Sequence, residues 1–321
     1  MPVTDSLINQ LLKGDRRIVA RVISQVENDT PLSNELLKTV YEHTGGAYRV
    51  GITGPPGAGK STLTNKLARY YRSQQMKVGI IAVDPTSPFT GGALLGDRVR
   101  MSEVELDEGV FIRSMASRGS LGGLSKRAKE AADVLDAAGY DIVILETVGV
   151  GQSELDIASA ADTTVVVLVP ESGDGIQAMK AGLMEIADFF VLNKADRPGA
   201  DQAVMSLKMI LGFRVHDASS WMPEVLKTQA NDGKGVEEVA QLVQRHRSYL
   251  ESSGMFERNR KSRLERRIRE IIDDRLHVEF WSSQRSRELH EKLDLLLHRL
   301  SNPYDVAADL LKDFRGSGSS E

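Results

Sequence analysis

The stretch Gly54–Ser61 reads Gly-Pro-Pro-Gly-Ala-Gly-Lys-Ser, which is the phosphate-binding pattern G-x-x-x-x-G-K-S. An apolar run at 48–53 predicts a buried strand before it, and residues 62–70 after it show the apolar spacing of a helix. Strand, glycine loop and helix in this order require an α/β fold in which loop N–H groups and a helix N-terminus face an anion. The residues expected to hold a nucleotide here are Gly54, Pro55, Pro56, Gly57, Ala58, Gly59, Lys60, Ser61 and Thr62.

Two side chains of this loop have predicted chemical roles. Lys60 is expected to reach the β- and γ-phosphates, and the hydroxyl of Ser61 is expected to bind Mg²⁺. The alternative is a glycine-rich turn in which Lys-Ser is incidental. The strand before the loop and the helix after it argue against that alternative.

The composition excludes several other kinds of site. The chain has 321 residues and no cysteine, which removes disulfides, thiolate nucleophiles and cysteine-bound metals. Its six histidines are scattered, so we predict no metal site built from protein side chains alone. A net charge of −4 gives no general basic field for nucleic acid or a membrane surface. Because the sequence also shows no secretory signal and no membrane-length apolar run, we expect a cytoplasmic protein.

Residues 47–235 alternate apolar strand-like runs with helix-like segments. Most of the runs are nearly continuous and rich in β-branched residues, which is typical of parallel strands covered on both faces. The pattern therefore predicts a doubly wound, mostly parallel sheet. The predicted strands are Arg49–Thr53, Val78–Val83, Val110–Arg113, Ile142–Leu145, Thr164–Val169, Phe189–Leu192 and Glu224–Lys227.

Helical patterns flank this region on both sides. Residues 5–45 read as helices, and further helices are predicted over 236–251, 257–281, 285–300 and 304–314. We therefore expect an N-terminal helical extension at 1–46, a P-loop domain at 47–251 and a C-terminal helical arm at 252–321. The arm has an apolar stripe that favours packing on a second subunit.

One segment of the arm, Arg258–Arg269, is rich in arginine. It could form a nucleic-acid patch. Interleaved glutamates favour a solvated helix face instead.

The segment Asn193-Lys194-Ala195-Asp196 is an N-K-x-D motif at the end of an apolar run. Guanine presents two donors, N1–H and the 2-amino group, and the carboxylate of Asp196 can accept both. Adenine would leave that carboxylate unpaired, so the site would discriminate strongly. Asn193 can reach the opposite edge of the base, and the stem of Lys194 can lie over its face.

A second base-binding element is expected in the loop after the last strand, at Gln229, Ala230 and Asn231. Many GTPases have Ser-Ala at this place, so Gln229 is a departure. Its backbone could still contact the guanine oxygen.

The strand 142–145 leads into Glu146-Thr147-Val148-Gly149, an E-x-x-G motif where most GTPases have D-x-x-G. The carboxylate of Glu146 is expected to hold Mg²⁺ through water, and the N–H of Gly149 to bind the γ-phosphate. Asp84 and Asp97 are further candidate ligands of the ion or its waters. The alternatives are a turn-forming role for Asp84 and a helix-surface position for Asp97.

The machinery for hydrolysis looks incomplete. Val150 follows Gly149 where Ras-like enzymes place a water-orienting glutamine, and Gln152 is displaced from that position. We therefore expect slow hydrolysis by the isolated protein and acceleration by a partner that orders the switch loops. The polar loop 170–180, after the fifth strand, is a candidate third switch.

In their order along the chain, these motifs closely resemble the MeaB/ArgK GTPases, the methylmalonyl-CoA mutase-associated members of a class with Glu in place of Asp in the third GTPase motif. The motifs are G-P-P-G-A-G-K-S, V-D-P-T-S-P, T-G-G-A-L-L-G-D-R-V-R-M, L-G-G-L-S, E-T-V-G-V-G-Q-S-E and N-K-A-D. The resemblance implies a homodimer through the C-terminal helices. It also implies a chaperone role toward adenosylcobalamin-dependent acyl-CoA mutases, with gated cofactor delivery and protection of the mutase.

The resemblance also assigns residues. It maps Ser61, Asp84, Asp97 and Glu146 to the Mg²⁺ neighbourhood and Lys180 to a third switch that contacts the partner. The candidate catalytic set is then Lys60, Glu146, Gly149, Gln152 and Lys180.

The third switch departs from the family pattern. It reads G-D-G-I-Q-A-M-K, whereas family members commonly show D-x-L-Q-G-I-K, which leaves a different branched acyl-CoA mutase open as partner. Other open functions are a kinase acting on an amino-acid transport component, a nickel-type metallochaperone and a non-enzymatic scaffold. The chain has no histidine- or cysteine-rich tract of the kind a metallochaperone carries, and its full set of nucleotide motifs argues against the scaffold.

Overall fold

In the part of the chain that the structure describes, the core is a sheet of seven parallel strands in the order β3-β2-β4-β1-β5-β6-β7. The computed structural model describes residues 3–28, 30, 32–85, 104, 106–117, 126–147, 156–172, 181–213 and 220–317. The strands are β1 Tyr48–Thr53, β2 Val78–Pro85, β3 Val110–Ser117, β4 Ile142–Thr147, β5 Thr163–Leu168, β6 Phe189–Leu192 and β7 Val225–Lys227. The predicted doubly wound parallel sheet is confirmed, with all seven predicted strands present.

The largest departure from the predicted bounds is in β3, and the neighbouring β2 is extended together with it. Both strands run past their predicted ends because they pair with each other as far as Pro85 and Ser117. Polar residues and a proline, namely Asp84, Pro85, Ser114 and Ser117, interrupt the apolar pattern beyond the predicted ends, so pairing with the neighbouring strand extends these two strands further than local propensity would.

Helices precede, cover and follow the sheet. Those of the first part of the chain are α1 Val3–Leu12, α2 Arg16–Glu27, α3 Ser33–Tyr41, α4 Lys60–Ser73, α5 Lys126–Ala137, α6 Ala181–Ile186, α7 Ala200–Leu211 and α8 Val236–Ser252. The last three are α9 Met255–Phe280, α10 Ser283–Leu297 and α11 Pro303–Ser317. Single 3₁₀ turns occur at Ile157–Ser159, Pro170–Ser172 and Ala230–Asp232.

Both faces of the sheet are buried, which explains why the strands read as continuous apolar runs. In β4, Val143 and Leu145 pack in one core layer with residues of α1, α2, α3 and α5. Ile142 and Ile144 belong to the opposite layer, with residues of α4 and α8. A third cluster joins β5 and β6 to α7.

A buried carboxylate of α5 holds the segment between the N-terminal helices and β1. Asp136 of α5 accepts hydrogen bonds from the backbone N–H groups of Gly45, Gly46 and Ala47, at 2.9 to 3.0 Å. Burial by itself would lower the pKa of the neighbouring Arg49, but the carboxylates of Asp133 and Asp136 raise it above its ordinary value. The segment that leads into β1 is thereby held against α5 by charge-assisted hydrogen bonds.

The chain forms two compact units, Met1–Glu257 and Arg258–Glu321. The predicted three-part division therefore stays a prediction. Within the second unit, α9 exposes large apolar side chains along its length, namely Leu264, Ile268, Ile272 and Leu276. Over the part of the chain described, no helix combines the length and apolar character needed to span a membrane.

Candidate nucleotide site

Two glycines let the loop after β1 lie directly against the neighbouring elements. A Cβ atom on Gly54, whose φ is 134°, would lie 2.0 Å from the backbone oxygen of Val167 in β5. A Cβ atom on Gly59, whose φ is 88°, would lie 2.3 Å from Nδ2 of Asn193. Only glycine satisfies both the left-handed backbone and the close approach at these two positions.

Lys60 begins α4, and its ammonium group turns back into the loop. Only 6 % of the residue is exposed, and its Nζ donates to the backbone oxygens of Gly54 and Pro55 at 2.8 and 3.0 Å. The positive charge therefore lies inside the curve of the loop, beside the N-terminus of a helix. Both features attract phosphate.

Ser61 and Glu146 are 85 residues apart in sequence and meet in the structure. The Ser61 hydroxyl donates to Oε1 of Glu146 at 2.5 Å, and Glu146 is buried, with 3 % of the residue exposed. Glu146 lies in β4, opposite Ile52 of β1 and Ala82 of β2. The Thr147 hydroxyl donates to the Thr53 hydroxyl at 2.9 Å, which links β4 to β1 at the start of the loop.

Among the remaining predicted magnesium and switch residues, the structure describes Asp84 alone. The backbone of Asp84 lies near the carboxyl end of β2, at the same edge of the sheet as Glu146. Asp97, Gly149, Gln152 and Lys180 lie outside the described residues. Their predicted roles stay predictions.

Asn193 joins the base-recognition motif to the P-loop. Its Nδ2 donates to the backbone oxygen of Ala58 at 2.9 Å. Its Oδ1 accepts from the Thr228 hydroxyl and from the Ala230 N–H, both at 3.0 Å. The amide of Asn193 therefore connects the loops after β1, β6 and β7. The sequence predicted only that this side chain contacts the edge of the base.

Thr228 is the member of this network that sequence reasoning missed. The residue is 1 % exposed, its N–H donates to the Leu192 oxygen, and its own carbonyl accepts from the Ala195 N–H. The available signal was its position: a hydroxyl directly before the predicted base-binding residues Gln229 and Ala230.

Lys194 makes a second connection from the N-K-x-D motif to the P-loop. Its φ of 55° is in the left-handed region, and its Nζ donates to the backbone oxygen of Gly57 at 2.8 Å. Asp196 follows in an exposed position on the same turn. The motif thus places a lysine stem across the loop and leaves a carboxylate open to solvent, where a base could reach it.

The loop from Gln229 to Gly235 is closed by short-range contacts. Gln229 and Lys234 form an antiparallel bridge, and Lys234 Nζ donates to the side-chain oxygen of Gln229 at 3.0 Å. Ala230 is buried and Asn231 is exposed. Gln229, which occupies the position where many GTPases have serine, therefore stabilises the loop through its own side chain.

An exposed ion pair lies beside the base motif. Arg197 Nη1 donates to Oε1 of Glu171, in the 3₁₀ turn that follows β5. This hydrogen bond and the arginine charge hold the pKa of Glu171 below its ordinary value.

The geometry joins a lysine-bearing phosphate loop, a hydroxyl–carboxylate pair and an N-K-x-D turn at one edge of the sheet. A family model described as Methylmalonyl Co-A mutase-associated GTPase MeaB matches residues 19–285. The chain belongs to the MeaB family. This family member is a P-loop GTPase, a hydrolase, as the resemblance of its motifs predicted.

Relatives of known name agree with the family match. A relative from Pyrococcus abyssi is 48 % identical over 98 % of each chain. The GTPase ArgK of Escherichia coli is 38 % identical over 79 % of each chain. A crystal structure described as that of an LAO/AO transport system kinase has a TM-score of 0.75 at 28 % identity and covers 97 % of both chains.

Proposed function

We propose that this MeaB-family GTPase is a chaperone of an adenosylcobalamin-dependent acyl-CoA mutase, with methylmalonyl-CoA mutase as the first candidate. In this proposal GTP hydrolysis gates cofactor loading and protects or reactivates the mutase. The observation that carries the proposal is the match to a mutase-associated family over residues 19–285. That range includes the whole nucleotide site as well as the proposed third switch at 170–180.

The donors at the site fit a magnesium ion. Mg²⁺ prefers hard oxygen ligands and is usually held by one or two protein groups, substrate phosphates and water. Ser61 Oγ and Glu146 Oε1 lie 2.5 Å apart and would supply a hydroxyl and a carboxylate, with Asp84 and Asp97 as further candidates. When bound, the ion would neutralise charge on the β- and γ-phosphates.

The chain's own residues would do the rest of the binding. Lys60 would turn its ammonium from the Gly54 and Pro55 oxygens toward the β- and γ-phosphates. Asp196 would accept the two guanine donors, and Lys194 would lie over the face of the base. This division of roles selects GTP over ATP, because adenine cannot pair with the carboxylate.

Because the isolated protein is predicted to hydrolyse GTP slowly, the mutase would act by accelerating that hydrolysis. We propose that mutase binding orders the switch loops, including Gly149, Gln152 and Lys180, and so completes the catalytic arrangement. A GTPase that is slow alone and fast with its partner can couple each turnover to one conformational step in that partner.

We also propose a homodimer through the C-terminal helices. The exposed stripe on α9 includes Ile268 and Ile272, which are 58 % and 49 % exposed. The first half of α9 carries the basic segment Arg258–Arg269, while its second half carries Asp273, Asp274 and Glu279. An antiparallel pair of these helices would place opposite charges together beside the apolar stripe. Multi-angle light scattering of the full chain and of an Ile268→Glu, Ile272→Glu variant tests this, the variant being expected as a monomer.

The central experiment measures GTP hydrolysis by the full chain with and without purified methylmalonyl-CoA mutase, with ATP as the nucleotide control. Stimulation that requires both GTP and the mutase is the expected result. The matched variants are Glu146→Gln, which should lose the stimulated activity, and Glu224→Gln at the far edge of the sheet, which should keep it. Equal GTP hydrolysis with and without the mutase would overturn the proposal. A second branched acyl-CoA mutase tested in parallel distinguishes the two candidate partners.

One observation favours a second function. The solved structure that covers 97 % of this chain is described as a transport system kinase. A kinase would transfer the γ-phosphate to a protein rather than to water. Incubation with γ-labelled GTP and an amino-acid transport component separates the two, since only a kinase leaves label on the component. The cytoplasmic location stays a prediction that fractionation of cells can check.

A further inference from the structure

The ion pair between Arg197 and Glu171 joins two loops that are far apart in sequence. Glu171 lies in the turn Pro170–Ser172, directly after β5 and at the start of the proposed third switch. Arg197 directly follows Asp196 of the base motif, after β6. Because β5 and β6 are neighbouring parallel strands, their carboxyl ends bring the two loops to the same place.

From Arg197 the contacts continue to the phosphate loop. The backbone N–H of Arg197 donates to the Lys194 oxygen at 3.0 Å, which closes the turn that carries Asp196. Lys194 Nζ in turn donates to the Gly57 oxygen at 2.8 Å. A displacement of Arg197 would therefore move the carboxylate proposed to read guanine and the lysine that crosses the loop.

The same turn is supported from a second side. Helix α7, which begins at Ala200 soon after the base motif, contacts the turn Pro170–Ser172. The start of the proposed switch and the base motif are thus joined both by packing and by the ion pair. A contiguous set of contacts of this kind can carry energetic coupling between two sites.

We propose that the Glu171–Arg197 ion pair is a positioning contact through which the turn Pro170–Ser172 and the guanine-reading turn influence each other. The inference rests on the proposed function for the statement that a mutase contacts the segment that begins with this turn. Its effect is modest, because the two side chains are 51 % and 45 % exposed and exposed pairs contribute little. We expect changes of roughly two- to fivefold in nucleotide affinity or rate, not loss of activity.

The first test needs no partner. GDP and IDP differ only in the 2-amino group of the base, so the ratio of their affinities reports how well Asp196 is placed. Glu171→Gln and Arg197→Gln each break the pair without adding a new charge, and each should lower the GDP/IDP ratio by roughly two- to fivefold. A change in overall stability alone would leave this ratio unchanged. Titration of fluorescent GDP and IDP analogues measures it.

Reversing both charges of the ion pair distinguishes loss of the ion pair itself from local disruption caused by either substitution. Glu171→Arg and Arg197→Glu alone should lower the ratio, and the double variant Glu171→Arg, Arg197→Glu should restore it. A matched control is the pair Glu224–Arg245, whose side chains are 43 % and 58 % exposed and lie at the opposite edge of the sheet. The corresponding swap there should leave the GDP/IDP ratio at its wild-type value. An unchanged ratio in the Glu171 and Arg197 variants, or no recovery in the double variant, would overturn the inference.

The second test adds the mutase and keeps the two proposals separate. Where the mutase stimulates the wild type, the single variants should show a stimulation reduced by roughly two- to fivefold, with recovery in the swap. Wild-type-like stimulation in every single variant would overturn the coupling while leaving the chaperone role intact. A mutase that stimulates no form of the protein would overturn the chaperone role, and the GDP/IDP ratio would still decide whether the pair positions the base turn.

Discussion

The two ends of the sheet hold buried polar networks of opposite character. At the carboxyl end, which we call the nucleotide edge, Asn193 and Thr228 connect three loops beside the buried Lys60 and Glu146. At the amino end, which we call the amino edge, Tyr48 and Thr163, at the starts of β1 and β5, meet His246 of α8.

The three side chains at the centre of the amino-edge network are neutral, and their hydrogen bonds have fixed directions. The Tyr48 hydroxyl and Thr163 Oγ1 are 2.6 Å apart, and Thr163 Oγ1 and His246 Nδ1 are 2.8 Å apart. His246 Nε2 lies 3.4 Å from Oδ1 of Asp188, a carboxylate that can only accept. The proton therefore belongs on Nε2, and Nδ1 accepts from the Thr163 hydroxyl, which in turn accepts from Tyr48.

Aromatic rings enclose the amino edge. The ring centroid of Trp221 lies 4.7 Å from that of His246, and the indole N–H donates to the backbone oxygen of Asp188 at 2.6 Å. Phe256 stacks on Tyr48 at 6.1 Å. The comparison separates two kinds of polar contact: the nucleotide edge keeps charges where a ligand can reach them, and at the amino edge hydrogen bonds among the neutral side chains of Tyr48, Thr163 and His246 hold α8 in place.

The largest predicted effect comes from removing the positive charge of Lys60 at the nucleotide edge. Lys60→Ala should reduce GTP hydrolysis by about 100- to 1,000-fold, because the variant loses a preorganised positive charge aimed at the phosphates. The thermal midpoint should change little, since Lys60 takes no part in the amino edge. Steady-state kinetics and circular dichroism measure the two effects. Retention of more than a tenth of the activity would contradict the assigned role.

At the amino edge, His246 should make the free energy of unfolding depend on pH. Burial lowers the pKa of His246 to about 4 from its ordinary 6.5, although Asp162 opposes the shift. Between these values the unfolded chain binds a proton that the folded chain does not, so the free energy of unfolding rises with pH. Stability should therefore be lost as pH falls from 6.5 to 4, by up to about 3 kcal/mol, with no further loss from this group below pH 4.

Urea unfolding at several pH values measures this dependence. His246→Gln keeps a polar side chain but does not titrate, so its slope in this window should be smaller than that of the wild type. Equal slopes in both proteins would show that groups other than His246 set the acid response.

Selectivity should depend on the nucleotide edge alone. Asp196→Ala should weaken GTP binding by roughly 10- to 100-fold, the value of charge-assisted hydrogen bonds to the base, and should leave ATP binding unchanged. Asp201, which is also exposed and lies at the start of α7, provides the control substitution Asp201→Ala. Isothermal titration with both nucleotides measures the change. Parallel losses for GTP and ATP would mean that Asp196 supports the fold and does not read the base.

The smallest predicted effects come from replacing one buried threonine at each edge of the sheet. Thr163→Val leaves the Tyr48 hydroxyl and His246 Nδ1 without their shared partner, so the free energy of unfolding should fall by about 2 kcal/mol with GDP release unchanged. Thr228→Val removes one donor to Asn193 and should speed GDP release by about fivefold at a smaller cost in stability. Stopped-flow release of a fluorescent GDP analogue and chemical unfolding test both. The same pattern in both variants would contradict the division of roles between the edges.

Much of this fold could be read from local patterns. The seven strands, the helices around them and the phosphate loop all follow from periodicity over short windows, which depends on neighbours in sequence. The candidate residues Lys60, Asn193 and Asp196 were found for the same reason, since a P-loop and an N-K-x-D turn are short motifs whose chemistry is carried by adjacent residues.

The contacts that join those motifs came only from the tertiary structure. Ser61 meets Glu146 across 85 residues, Asn193 meets Thr228 across 35, and Arg197 meets Glu171 across 26. Each pair depends on the strand order β3-β2-β4-β1-β5-β6-β7, which is set by how whole elements pack together. Periodicity shows which residues are buried, but not which strand lies beside which. Local sequence patterns therefore specify the elements and the chemical groups, whereas the packing of whole elements sets which of those groups touch.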